Sequence, residues 1–511
     1  MRRHGLATVG RAERVRGAEA TRAPLARPGP FGQHQPSSEP QEVPMRVSRS
    51  LPAVAALVVA ALGVMTAAPA QAADAPPDVD LPFEKYTLPN GLEVVLHVDP
   101  SAPQIAVNVW YHVGSGDEVP GKSGFAHLFE HMMFQGSKHT GTDVHFSTLE
   151  KLGASEVNGS TTTDRTNYFE TVPKNAVETA LWLESDRMGY LLDSLTEESF
   201  RNQVEVVRNE RRQRYDNRPY ARARFAVAEA LYPEGHPYRY LTIGRHEDLE
   251  NASLDDVRGF FRTWYRPSDA TLVVAGDFDV AAMKALVEKW FGGFPKLDKP
   301  ARRDVPMPSL DKLIKVDQPD PMAQIEQLQR TWIAPANLAE GTFELAAVGD
   351  VLGAQGWGRI YKRLVVQEAL CGVVYAGYEG RGLSGEFSII ARLNPGVDRA
   401  KVEAILDEEV AKVLAEPVSD AELHRVVINT ESEFIWGLED LTGRADQLQW
   451  FNHYTGDPGY AAKYLRRLRA VTPASLQAAA KAWLGKPYAQ VVTVPAPAGG
   501  AAPEEQGGST P

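Results

Sequence analysis

Five residues in the first half of the chain carry the strongest chemical signal: His127-Leu128-Phe129-Glu130-His131. On a helix, imidazoles at i and i+4 lie on one face about a turn apart, which suits two neighbouring positions of a tetrahedral zinc site. Glu130, one residue before the second His, is placed beside such a metal. There it could take a proton from a metal-activated water and later return it to a leaving amine. The bland alternative is a half-buried helix whose histidines find ordinary hydrogen-bond partners. With 12 His in 511 residues, a chance H-x-x-E-H is on the order of one in a hundred, so the metal reading is preferred. A catalytic site needs a third protein ligand. Glu210 is a candidate on a later helix, but from spacing alone a solvated Glu beside Arg211 and Arg212 is the simpler reading.

Three stretches together carry a resemblance: Ser123–Met132 around the motif, Asn158-Gly159-Ser160-Thr161-Thr162-Thr163-Asp164-Arg165-Thr166-Asn167-Tyr168, and Val206-Val207-Arg208-Asn209-Glu210. They resemble the pitrilysin/insulinase family of zinc metallopeptidases, which includes mitochondrial processing peptidases and bacterial exported members. The resemblance spans about 80–495. It implies Glu210 as third zinc ligand, one Zn2+ per chain, and Asn158 as a residue holding substrate backbone, with the strand after it as the edge to which a peptide adds. It implies an α+β fold of two homologous domains, each a mainly antiparallel sheet packed with helices, forming a clamshell around peptides or unfolded polypeptides. Gln203 departs from the pattern where many members carry a Glu seven residues before the ligand. In the second half the family often carries an Arg and a Tyr seven apart; here Val365 and Gly372 stand at those places, with Arg363 and Tyr375 nearby. The second half has no H-x-x-E-H and is expected to bind no zinc. The missing pair points to a homodimer or to a heterodimer with a family paralogue. The rival function is a non-catalytic peptide-binding or scaffold subunit, which the intact motif disfavours.

The elements that must position these residues are legible in outline. A hairpin is expected at Phe83–Leu88 and Leu92–Val98 around Asn90-Gly91, a strand at Gln104–Val113, and the motif helix at Ser123–Phe134. Strands at Thr166–Val172 and Thr271–Gly276 and helices at Lys174–Leu192, Glu198–Tyr215 and Leu254–Tyr265 complete a first domain over 80–297. Residues 298–325, rich in Pro, Lys and Asp, read as a linker. A second domain over 326–495 is expected to contain strands at Gln327–Ile333, Gly385–Leu393 and Tyr488–Val494, with helices at 342–365, 399–415, 419–452, 459–470 and 474–484. Both halves end alike, in Ser-Leu, a helix, a Trp and an apolar strand, which suggests a duplication. His112, His139 and His145 read as surface or structural. Arg201–Arg218, interleaved with Glu205, Glu210 and Asp216, reads as a salt-bridged helix face.

Composition sets the outer limits. Apolar residues make up 43% and charged residues 23% of the chain, ordinary for a folded protein with a sizeable core. Residues 1–44 read as a dispensable leader. Residues 45–72 read as a signal peptide, with Arg46 and Arg49 before an Ala/Val/Leu run and Ala70-Gln71-Ala72 as cleavage site. A membrane anchor is the competing reading, opposed by the weak hydrophobicity of the run. The segment up to Ala73 holds nine Arg and four Glu, so its loss takes the net charge from −12 to −17, which excludes nucleic acid as a natural partner. The single cysteine, Cys371, excludes an intramolecular disulfide. The expected location is periplasmic or extracellular, with no membrane span after cleavage, and residues 496–511 read as a disordered tail.

Overall fold

The computed structural model describes residues 78–496. The leader, the 45–72 segment and all but the first residue of the 496–511 tail lie outside the described residues. The first half runs β1 (Glu84–Thr87), β2 (Glu93–Val98), β3 (Gln104–Tyr111), α1 (Phe125–Met132), α2 (Val144–Lys151), β4 (Ser155–Thr161), β5 (Thr166–Pro173), α3 (Val177–Ser194), α4 (Glu197–Arg211), α5 (Ala223–Leu231), α6 (His246–Glu250), α7 (Leu254–Trp264), β6 (Ala270–Gly276) and α8 (Val280–Phe291). The second half runs β7 (Ile314–Asp320), β8 (Gln327–Ala334), α9 (Thr342–Gly353), α10 (Arg359–Tyr361), β9 (Cys371–Glu379), β10 (Gly385–Leu393), α11 (Arg399–Ala415), α12 (Asp420–Trp436), α13 (Leu441–Thr455), α14 (Ala461–Arg469), α15 (Pro473–Leu484) and β11 (Ala489–Pro495).

Two sheets result, ordered β1-β2-β6-β3-β5-β4 and β7-β11-β8-β10-β9. Leaving aside β1, the orders superimpose strand for strand. In each sheet the last strand pairs parallel with the first (β6 with β2, β11 with β7) and every other pairing is antiparallel. The fold is the α+β architecture of two matching units that the sequence implied, and the likeness of the two chain ends is that of α7–β6 and α15–β11.

The central strands are buried on both faces. Period-two alternation sends Val94, Leu96, Val107, Val109, Leu272 and Val274 into a core shared with α1, α3 and α7. It sends Val95, Ala106, Val273 and Ala275 the other way, into a core built mainly by the second half. The element covering that other face is α13, with Leu448 and Phe451 in the same core. Gln449 Nε2 donates to the carbonyls of Asn108 and Thr271, both at 2.8 Å, and Asn108 Nδ2 donates to Asp446 at 2.7 Å. The exchange is reciprocal. Helix α5 of the first half lays Ala223, Ala226, Val227 and Leu231 against Ile333, Ala489 and Val491 of the second sheet. Each sheet is therefore roofed by a helix of the other half.

Several sequence expectations change. The segment read as a linker contains β7, which pairs with β11 over its whole length; Pro and Lys fit there because β7 is an edge strand. The helix expected over 342–365 breaks after Gly353, where Gly356 takes φ +83°, and resumes as α10 and a π-turn at Lys362–Gln367. The helix expected over 419–452 is two, α12 and α13, because Asp440 caps the second by accepting from the Gly443 N–H at 2.6 Å. Strands β4 and β9 and helices α2, α5, α6 and α8 went unread.

Two outcomes follow. A fragment of residues 78–300 leaves Val95 and Val273 wet, each forfeiting about 1.5–3 kcal/mol. It should aggregate alone and form a 1:1 complex when co-expressed with 301–496; a cooperative melt of the lone fragment in calorimetry would refute the interlocked design. Second, burial, with Glu433 nearby, raises the Asp350 carboxyl from 3.8 to about 7. Because the folded value lies above the unfolded one, its stabilising contribution is complete below about pH 4 and is lost as pH rises to 7. Asp350→Asn should match the parent below pH 4 and exceed it above pH 7 by roughly 4 kcal/mol, read as melting temperature against pH. An offset constant at every pH would mean altered packing instead.

Candidate metal centre

Helix α1 is fixed before its polar face is used. Phe125, Leu128, Phe129 and Met132 point into the first core, which turns His127, Glu130 and His131 toward β4 and α4. At its start the Glu118 carboxylate accepts from the N–H groups of Gly124 and Ala126 at 3.0 and 2.8 Å, meeting donors that a helix N-terminus leaves open. Gly124, at φ +90°, stacks on Gly244 so closely that a Cβ on Gly244 would stand 2.5 Å from the Gly124 Cα. Arg211 at the end of α4 donates to the Gly244 carbonyl at 2.5 Å. The residue after Glu210 thus ties α4 to the loop that seats α1. The salt-bridged surface face expected for Arg201–Arg218 holds for Arg201 and Arg208, which pair with Glu197 and Glu205; Arg211 is buried.

The structure brings the three candidate ligands together. His127 Nε2 and His131 Nε2 lie 3.6 and 3.3 Å from the same Glu210 oxygen, Oε2. A tetrahedral zinc with bonds of about 2.0–2.1 Å spaces its ligand atoms about 3.3 Å apart. The donor set, two imidazoles and one carboxylate, and the spacing both fit that ion. The other Glu210 oxygen, Oε1, is paired by Arg214 at 2.7 Å, leaving Oε2 as the free donor. Arg214 reaches it from a π-turn, Arg212–Asp216, that follows α4 directly. Gln203, where the family pattern has a Glu, is buried in α4.

Electrostatics prepares these groups for a cation. Burial holds the His127 imidazole down at about 4 despite Glu210 beside it, so the ring is neutral and its nitrogen lone pair is available. Burial would raise Glu210, but His131, His127 and Arg214 outweigh it and keep the carboxyl below its ordinary value, ionised. For Glu130 burial wins and raises the carboxyl, opposed by the Thr161 hydroxyl, His131 and Arg165. That moves a carboxylate toward the range where it can both accept and return a proton.

Asn158 lies within β4, opposite Phe169 of β5, and is exposed, its Oδ1 accepting from the Gly159 N–H at 2.8 Å. The edge of the sheet is the strand that contains Asn158; the strand after it, β5, is interior between β3 and β4. That corrects the sequence expectation, and the reason is long-range pairing of β5 with β3. Gly159 sits over the motif helix: a Cβ there would stand 3.1 Å from both Glu130 Cγ and Phe134 Cε2.

Neighbouring histidines stay out of the centre. His112 shares a 2.7 Å Nδ1···Nδ1 contact with His453, and His139 faces Asp186 at 2.5 Å. His145 is buried with Glu170 and Glu184, a second group whose ligand atoms lie within 4.8 Å of one another. Arg187 occupies that place, forking onto both oxygens of Glu184 with its guanidinium over Phe134 and Tyr168. With a cation built in, the group is a buried ion pair behind the site. Sequence reasoning missed it, along with Arg214 and Thr161. In the second half, Arg363 is committed to Glu408 and Glu409 at 2.6 and 3.0 Å, and Tyr375 lies on the edge strand β9.

Two matching α+β units with a two-histidine, one-carboxylate cradle on the first define a metallopeptidase-like class of protein. Residues 93–238 match the family model described as insulinase (peptidase family M16), and residues 251–429 match the peptidase M16 inactive domain. The zinc protease PqqE of Helicobacter pylori is 30% identical over 394 residues, covering 75% of this chain and 86% of that protein. The crystal structure of a protease from Helicobacter pylori aligns with a TM-score of 0.77 at 26% identity, covering 82% of this chain and all of that one. The periplasmic protease PqqL from Escherichia coli shares the fold, with a TM-score of 0.67 at 17% identity over 82% of this chain and 48% of that one. The chain belongs to the insulinase (M16) family.

Arg214 supplies the test of the carboxylate ligand. Removing an outer partner of a ligand costs about 10–100-fold in metal affinity. Arg214→Ala should lie near the lower end of that range, in competition with a zinc-binding dye, because the side chain is largely exposed. Glu210→Ala should abolish stoichiometric binding. Equal zinc affinity in Glu210→Ala and the parent would remove Glu210 from the ligand set.

Proposed function

We propose that this chain is a zinc-dependent endopeptidase acting on peptides or unfolded polypeptides, with Glu130 as general base. One observation carries the reading: His127 and His131 converge on a single oxygen of Glu210 at zinc-ligand spacing, with the Glu130 carboxylate on the same helix face. The names of relatives as zinc proteases support it. Bound by these three residues, the zinc would supply Lewis acidity to the attacking water and the scissile carbonyl. Glu130 takes the proton of that water and returns it to the leaving amine. The exposed Asn158 and the open side of β4 hold an extended substrate by backbone pairing, which accepts many sequences. Burial of His127 keeps it neutral, and Arg214 keeps Glu210 oriented.

The second half supplies no metal ligand in this reading. Its Arg363 is occupied by carboxylates, so the Arg and Tyr that many family members use would come from a second copy or a paralogue. The length of PqqL, of which this chain covers about half, favours such a pairing. Export to a periplasm or beyond fits the signal-like residues 45–72 and the periplasmic name of that relative; among the described residues no helix is long and apolar enough to cross a membrane. A purely scaffolding role is disfavoured by the convergence of all four site residues.

The test compares residues 73–511 with Glu130→Gln on a quenched, unstructured peptide, with zinc measured in both. About one zinc per chain in each is expected, with hydrolysis that a chelator stops and that falls by about 10²–10⁴-fold in the variant. Zinc in neither protein would end the metallopeptidase reading; zinc in both with activity in neither would favour the scaffold role.

A further inference from the structure

The turn joining β4 to β5, Thr162–Arg165, is held by more hydrogen bonds than a four-residue turn requires. Within it, the N–H groups of Asp164 and Arg165 donate to Thr162 Oγ1 at 3.2 Å each, and the Thr162 N–H donates to the Arg165 carbonyl at 2.9 Å. Beneath it, the N–H groups of Ser115 and Gly116 donate to the carbonyls of Thr162 and Thr163 at 3.0 and 2.8 Å. Gly114 lies so close that a Cβ there would stand 2.4 Å from the Thr162 oxygen.

The third set crosses to the other half. Asp164 Oδ2 accepts from the Tyr454 hydroxyl at 2.8 Å and the Gly382 N–H at 2.9 Å. Asp164 Oδ1 accepts from the Tyr238 hydroxyl at 2.7 Å, and that hydroxyl accepts from the Leu383 N–H at 3.0 Å. Tyr454 lies on α13, the helix that roofs the first sheet, and Gly382 and Leu383 lie in the β9–β10 connection. Arg165 carries the constraint back along the hairpin, donating to the Ser160 carbonyl, Ser160 Oγ and Asn167 Oδ1 at 2.9, 2.6 and 3.0 Å. The next residue along β4 is Thr161, and its Oγ1 donates to Glu130 Oε2 at 2.6 Å. This is the one hydrogen bond the structure gives that carboxylate among the described residues.

We propose that the half without a metal site positions the general base of the half that has one: Asp164, anchored to Tyr454 and Gly382, fixes the hairpin so that Thr161 holds the Glu130 carboxylate in place. Thr161 and Asp164 are positioning residues, and the proposal rests on the peptidase reading above. A carboxylate on a flexible stem gains little from proximity unless its angle is set, and a displacement of about 1 Å can cost on the order of 10²-fold in rate.

The experiment compares Thr161→Val, Thr161→Ser, Tyr454→Phe and the Thr161→Val/Tyr454→Phe pair in the full chain. It reads kcat and KM on the quenched peptide, zinc content, and the Glu130 carboxylate position in crystal structures. Thr161→Val should lower kcat about 10–100-fold with KM and zinc content unchanged, while Thr161→Ser, which keeps the hydroxyl, stays within about threefold of the parent. Tyr454→Phe, which removes one oxygen and no bulk, should lower kcat about 3–10-fold. The pair should be no slower than Thr161→Val alone, because both act through one carboxylate. Parent-like kcat in Thr161→Val, loss of zinc in either single variant, or a pair whose defect is the product of the two would overturn the proposal. If the parent proves inactive, the peptidase reading fails, and the crystal structures decide the positioning question. A displaced Glu130 carboxylate in Thr161→Val and Tyr454→Phe upholds it, and an unmoved one in both refutes it.

Discussion

Strands β3 and β6 are apolar on both sides, and a strand of that kind is stable only between two layers. Val107, Val109 and Val274 face the helices of their own half, while Ala106, Val273 and Ala275 face α13 of the other. Because the second sheet makes the same demand on α5, the halves must close on each other to finish either core. The interlock fixes more than stability. It brings α13 and the β9–β10 connection against the first sheet, and so decides which side chains of the second half touch the hairpin beside the motif helix.

At the candidate metal centre, neighbouring groups set the charge of each side chain. Neutral His127, ionised Glu210 and a Glu130 whose carboxyl burial raises lie close together, and each shift is set by burial or by a named partner. Behind them Arg187 stands between Glu184 and the rings of Phe134 and Tyr168. There Glu170, fully buried, has its carboxyl pushed well upward by burial and by Glu184 beside it. A divalent cation bound only by the folded arrangement would add its binding free energy to the fold.

The second unit keeps the strand order of the first but puts a differently patterned helix at the place of α1. Helix α9 holds the place in the order of elements that α1 holds in the first unit, directly after the strand that pairs with the sheet's last strand. Where α1 turns His127, Glu130 and His131 toward β4 and α4, α9 buries Leu345, Val348, Val351 and Leu352. Gly349 and Gly353 let it sit against β9, where a Cβ at either position would stand 2.7 and 2.2 Å from backbone atoms of Gly377 and Ala376.

By itself the sequence determined what is local or periodic. Helical spacing placed His127, Glu130 and His131 on one face, period-two alternation marked β2, β3 and β6, and Asn90-Gly91 marked the hairpin turn. Glu210 was legible as a candidate ligand only through resemblance, since nothing in an isolated helix separates a metal-ligating Glu from a solvated one. Tertiary structure alone decided what depends on approach between distant segments. It made β4 the edge that holds Asn158, threaded β7 through apparent linker, set Arg214 on Glu210 and Thr161 on Glu130, and buried Glu170, Glu184 and Arg187 together. Apart from the Glu210–Arg214 and Glu184–Arg187 pairs, which lie one helical turn apart, such contacts join residues tens to hundreds of positions apart, and their energies come from burial and hydrogen bonding that exist only once both cores are closed.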